Sequence, residues 1–139
     1  MHMAASHLRR IEAACEAAYP EEACGLLVGR WTGAAARVSE VHASANVAES
    51  RRCAFEVDPH LLLSLYKRLR QGDESMLGVY HSHPDGSAEP SPRDLDRAWQ
   101  PELIWLIVAL RDGRAVETTA HRLTDGAFFP FPLSLETAS

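Results

Sequence analysis

Lysine is almost missing from this chain. Lys67 stands alone among fourteen basic residues, set against nineteen acidic ones, and the formal net charge is −5 at neutral pH. That balance counts against nucleic acid as a partner, because proteins that neutralise phosphates carry a basic patch or stripe. Long apolar runs are missing too. The longest, Leu103 to Leu110, has eight residues, far short of the ~20 that a membrane-spanning helix needs. Met1 to Arg10 has no apolar core of the secretory-leader kind, so a cytoplasmic location and no membrane association are expected. Cysteine is scarce: Cys15, Cys24 and Cys53 lie at wide, irregular spacing, without the C-x-x-C pair of a zinc ribbon or redox dithiol. Reduced, mainly structural thiols are the expectation.

What is present is the composition of a soluble folded protein. Of 139 residues, 46% are hydrophobic and 24% charged, enough for one core and one domain spanning residues 1–139. No internal repeat or linker interrupts it. Leu8, Ile11, Cys15 and Ala18 recur at helical spacing from Ser6 until Pro20 ends the pattern. The apolar run Cys24 to Gly29 and the weakly alternating Ala36 to His42 read as a hairpin around Thr32-Gly33. Asp58-Pro59 is a cap followed by proline at the first helical position, with Gly72 as a stop and Leu62, Leu65, Tyr66 and Leu69 as the apolar stripe.

Met76 to His83 reads as a strand leading into a proline-rich loop, and Ser91-Pro92 starts a helix that runs to about Trp99. Leu103 to Leu110 reads as a strand buried on both faces. Asp112-Gly113 then turns it back into Ala115 to Leu123. Trp99 and Trp105 are expected in or near the core. Helices and strands therefore alternate around a mixed sheet, an α/β class.

The chemistry concentrates in His81-Ser82-His83-Pro84, six further residues, and Ser91-Pro92-Arg93-Asp94. Histidines at i and i+2 on a strand point to one face, so both imidazoles can converge on one ion. Asp94 can supply the third protein ligand of a hydrolytic zinc site, which keeps a position open for water. Taken alone, an H-x-H pair is more often two polar residues on an exposed strand face. Ser91-x-x-Asp94, likewise, is an acidic form of the capping box. The two readings of Ser91 are compatible, since capping uses an oxygen lone pair and leaves the O–H free to donate.

The string H-x-H-P-x6-S-x-x-D resembles the signature of the JAMM metalloproteases, also called the MPN-plus family. In short prokaryotic members of that family the catalytic glutamate sits in a P-x-E-x-C-G segment, which Pro20-Glu21-Glu22-Ala23-Cys24-Gly25 matches. The resemblance selects Glu22 over Glu21, a choice that periodicity leaves open. It covers roughly Glu22 to Leu110. It implies a three-layer α-β-α domain with a mixed central sheet, related to the cytidine deaminases. It also implies Zn2+ held by His81, His83 and Asp94, with Glu22 and Ser91 as catalytic groups. Glu22 would take a proton from the attacking water and return it to the leaving amine, and Ser91 would donate to the developing oxyanion.

The chain also resembles the compact stand-alone members that act on ubiquitin-like sulfur-carrier proteins, cleaving after a C-terminal Gly-Gly. Such a carrier is the expected partner, with room left for a homodimer. Arg51 and Arg52 lie where relatives contact the ubiquitin-like protein, although a solvated basic turn is the commoner use of such a pair. The loop from Asn46 to Phe55 is the candidate edge for an extended carrier tail. Alternatives are a metal amidase or cell-wall peptidase acting on another acyl substrate, and a non-catalytic MPN scaffold, though scaffolds typically lack the full ligand and glutamate set found here. A nucleobase deaminase is disfavoured by the absence of H-x-E and P-C-x-x-C.

Overall fold

The structure is a computed structural model that describes residues 1–97 and 103–137. In chain order its elements are β1 (His2–Ala4), α1 (Ala5–Ala18), β2 (Cys24–Thr32), β3 (Ala35–Ser44), α2 (Pro59–Leu69), β4 (Ser75–His83), α3 (Pro92–Arg97), β5 (Ile104–Arg111), β6 (Arg114–Thr124), β7 (Ala127–Phe131) and β8 (Ser134–Glu136). The strands form one eight-stranded sheet in the order β7-β6-β5-β4-β2-β3-β1-β8. It is mixed: β4 pairs parallel with β5, while β2 pairs antiparallel with both β3 and β4. Trp99 and the far end of the helix expected to reach it lie outside the described residues.

Local chemistry accounts for most of these elements. Asp58 caps α2 by accepting the His60 backbone N–H at 2.9 Å, with Pro59 in the first turn. Asp112 and Gly113 take φ of 53° and 78°, the left-handed pair that a tight hairpin between β5 and β6 requires. The run from Ile104 to Leu110 is buried throughout, because β5 sits inside the sheet with helices over both faces. By contrast α1 has no side-chain cap at its start; packing of the fully buried Ile11 and Cys15 holds it instead.

Two cores lie on opposite faces of the sheet. Ile11 and Cys15 of α1 pack with Leu27, Leu77, Tyr80, Leu106 and Val108. Leu65 of α2 packs with Leu26, Val28, Met76, Val79 and Trp105. The layering is thus α-β-α. β4 changes its parity between these cores. Leu27 pairs with Gly78 but Val28 pairs with Met76, which leaves Leu77 as one extra residue, a bulge. Simple alternation from Met76 would turn residues 81 and 83 toward α1. The extra residue turns them toward α2, beside Val79.

Candidate metal centre

β4 ends at His83, with both histidines on the α2 face. The loop that follows folds back so that the start of α3 closes over them. Gly86 has φ of +93°, a left-handed conformation that makes this return cheap. The result is a buried triangle. His81 Nε2 and His83 Nε2 are 3.0 Å apart, His83 Nε2 is 3.0 Å from Asp94 Oδ2, and His81 Nε2 is 3.1 Å from Asp94 Oδ1. His81 is wholly buried, His83 8% exposed and Asp94 5% exposed.

The triangle offers lone pairs to a cation once the ring protons it shares are displaced. His83 donates its Nδ1–H to the Ser87 carbonyl at 2.6 Å, so the neutral ring presents a bare Nε2 inward. Asp94 presents both oxygens. Burial pushes the Asp94 carboxyl up, but the His81 Nε2–H and the protonated His83 ring outweigh it and hold the group below the usual carboxylate range. Burial lowers His81, and although it also acts to lower His83, the Asp94 carboxylate more than reverses this and leaves His83 raised. Three convergent Lewis bases are what a divalent cation needs. Tetrahedral zinc with bonds of about 2.0–2.2 Å spaces its ligand atoms about 3.3 Å apart, within a few tenths of the distances here.

Asp94 does a second job at the helix start. Ser91 Oγ accepts the Asp94 N–H at 3.0 Å and Asp94 Oδ2 accepts the Ser91 N–H at 2.9 Å. That reciprocal capping box fixes the carboxylate before any ion arrives. The hydroxyl proton of Ser91 stays available, and the side chain lines a cleft of 630 Å³ together with Glu22 and His83.

Glu22 lies just ahead of β2. Cys24 pairs with His81, Ser82 Oγ accepts the Ala23 N–H at 2.8 Å, and Ser82 N–H bonds the Ala23 carbonyl. Extending that antiparallel register brings Glu22 alongside His83. Gly25 permits the close fit, since a Cβ there would lie 2.2 Å from the Tyr80 ring. Glu22 is 7% exposed, and burial, joined by the Asp94 charge and opposed by His83, pushes its carboxyl up to about 7. Glu21 instead meets Arg51 at 3.3 Å on the surface. Geometry therefore brings His81, His83, Asp94, Glu22 and Ser91 together and sets Glu21 apart.

Two kinds of supporting residue were legible in the sequence only as part of a loop or of the core, without their role at the site. Asn46 uses its whole amide: Nδ2 donates to the carbonyls of Glu22 and Ala54, and Oδ1 accepts the N–H groups of Ala48 and Glu56. It ties the Glu22 segment to the 46–57 loop. Phe55 stacks on the His81 ring at 4.4 Å and 18°, and Trp105, expected in the core and 4% exposed, meets the same ring edge-on. Cys15 and Cys24 are buried and free, each thiol pushed up to about 12 by burial; Cys53 is free and exposed. Among the described residues no helix is long and apolar enough to cross a membrane.

Comparison with known proteins adds an independent line. The family model described as prokaryotic homologs of the JAB domain matches residues 4–123. A desampylase of Haloferax volcanii is 35% identical over 117 residues, 84% of this chain and 80% of that one. A CysO-cysteine peptidase of Mycobacterium tuberculosis is 29% identical over 117 residues, 84% of this chain and 78% of that one. Among solved structures, protein DSY2949 of Desulfitobacterium hafniense superposes with a TM-score of 0.86 at 30% identity, covering 99% of this chain and 93% of its own. A structure described as JAMM, a metalloprotease-like zinc site in the proteasome and signalosome, shares the fold at a TM-score of 0.60 and 18% identity, covering 98% and 97% of the two chains.

Proposed function

Because the chain belongs to the family of prokaryotic homologs of the JAB domain, we propose that it is a zinc-dependent peptidase and isopeptidase. It cleaves after the C-terminal Gly-Gly of a ubiquitin-like or sulfur-carrier protein. The observation that carries this reading is the buried His81-His83-Asp94 triangle, opening beside Glu22 and Ser91. The substrate class is supported by relatives named desampylase and CysO-cysteine peptidase. Residues 1–139 act as one catalytic domain, in the cytoplasm, where free thiols such as its three cysteines persist.

His81, His83 and Asp94 would hold the zinc, whose donor preference suits two imidazoles and a carboxylate. When bound, zinc supplies Lewis acidity and makes water a stronger acid. Glu22 Oε removes a proton from the attacking water and later delivers it to the leaving nitrogen, a role suited to a carboxyl poised near neutral pH. Ser91 Oγ donates its free proton to the oxyanion that forms on the scissile carbonyl. Asn46 holds the Glu22 carbonyl and keeps the base from swinging out. Arg51 is engaged with Glu21, which leaves Arg52, on the rim of the same cleft, to meet acidic groups of the carrier.

The test is to mix the purified protein with a sulfur carrier extended beyond its Gly-Gly, recording intact masses with and without a strong zinc chelator. Release of the extension that the chelator abolishes supports both metal and substrate class. Unchanged masses from protein that metal analysis finds loaded with zinc would reject the carrier and favour another acyl substrate.

A further inference from the structure

The β6-β7 hairpin lies beyond the capping box and ligand triangle, yet a continuous line of contacts runs through it from one candidate ligand to the other. His81 meets Trp105 at 5.5 Å, Trp105 meets Phe128 at 5.4 Å, and Phe128 meets His121 at 6.5 Å. His121 Nε2 lies 2.9 Å from Thr119 Oγ1, and Thr119 Oγ1 donates to the Ala88 carbonyl at 2.8 Å. Ala88 follows Ser87, whose carbonyl orients His83. Sheet register explains why these groups share a face: His81 pairs with Ile107 and Ile107 with Thr119, while Trp105 pairs with His121.

We infer that Thr119 and His121 are positioning residues that latch the 84–90 loop to the sheet, so that the Ser87 carbonyl holds His83 in the tautomer that presents its bare Nε2. The hydroxyl has a single proton, which goes to the Ala88 carbonyl. Toward His121 it must therefore accept, and the His121 ring donates from Nε2. Ala88 and His121 are each 6% exposed and Thr119 is half-buried, so the latch is partly shielded from water, where a lost partner is not replaced cheaply. Neither residue faces the cleft lined by Glu22 and Ser91. Their influence runs through the loop and not through contact with substrate.

The inference rests on the metal-site reading above, and its test separates the two. Wild type, Thr119→Val and Thr119→Ser compete for zinc against a chromophoric chelator, and the histidine ring nitrogens of the metal-free proteins are followed by NMR. Thr119→Val is expected to weaken zinc about three- to tenfold, a step below the 10- to 100-fold typical of direct outer partners, and to shift the His83 Nδ1–H resonance. Thr119→Ser, which keeps the donor, restores both. Equal zinc affinity and an unmoved His83 resonance in Thr119→Val overturn the latch. A wild type that takes no zinc overturns the metal reading and the latch with it.

Discussion

His81 and His83 stand two residues apart on one strand and meet at 3.0 Å, but they are held by different physics. His83 is held by a hydrogen bond from Nδ1 to Ser87, which fixes both ring plane and tautomer. His81 is held by ring faces, stacked on Phe55 and edged by Trp105, and its buried Nδ1 has no hydrogen-bond partner among the described residues. Stacking fixes the plane and leaves the tautomer free. In the metal-free ring the proton belongs on Nε2, facing Asp94 Oδ1 at 3.1 Å. Ligation through Nε2 requires it on Nδ1, where it meets no acceptor among the described residues, at a cost of about 1–3 kcal/mol. In the proposed site one histidine would be prepared for metal in advance and the other recruited.

The sharpest way to break this comparison is to remove what both histidines share. Asp94→Asn should lower hydrolysis by at least ~10³ and weaken zinc by more than ~10², measured by carrier cleavage and by metal analysis. Glu22→Gln should leave zinc content intact and reduce cleavage by about 10² to 10⁴. Zinc loss in that variant would show that the base and the triangle are not separable. Phe55→Leu should weaken zinc about tenfold and also lower stability by about 1–3 kcal/mol, because the stack that orients His81 is part of the core around α2.

Smaller effects follow from charge. The raised Glu22 carboxyl contributes stability that is fully present below its ordinary value of 4.5 and lost as pH rises through about 7. Metal-free Glu22→Gln should therefore be more stable than wild type at pH 8 by about 1–2 kcal/mol, allowing for the open side of the cleft, and no more stable at pH 4; urea melts at both values measure it. In the proposed mechanism cleavage needs the ionised carboxylate, so kcat/KM should fall on the acid side, at or below pH 7 because a nearby cation favours ionisation. Smallest of all, Glu21→Ala should change stability by no more than about 0.5 kcal/mol, since its pair with Arg51 is exposed to solvent.

The elements legible in the sequence are those whose signals are local. The Asp58-Pro59 start of α2, the Asp112-Gly113 turn and the buried run of β5 each carry their own cap, turn or burial pattern. β1, β7 and β8 were not foreseen. Met1 and Met3, in and beside a strand of three residues, are buried because β1 pairs with β3 and β8 at the far side of the sheet, and three residues are too few to show a period. Asn46 was legible only as part of a loop, because what it does depends on four backbone groups brought to it from Glu22 and the 46–57 segment.

By itself the sequence named the candidate donor set: two imidazoles at i and i+2, a carboxylate placed to cap its own helix, and a motif match that singled out Glu22. Tertiary structure alone decided where those donors point. The extra residue at Leu77 turns His81 and His83 to the α2 face, where Phe55, Trp105 and the returning loop receive them. Period-two alternation carries no information about a bulge, which exists only as a mismatch between two strands. For the same reason the link from Thr119 to His83, made across a loop and two strands, has no trace in the linear order of residues.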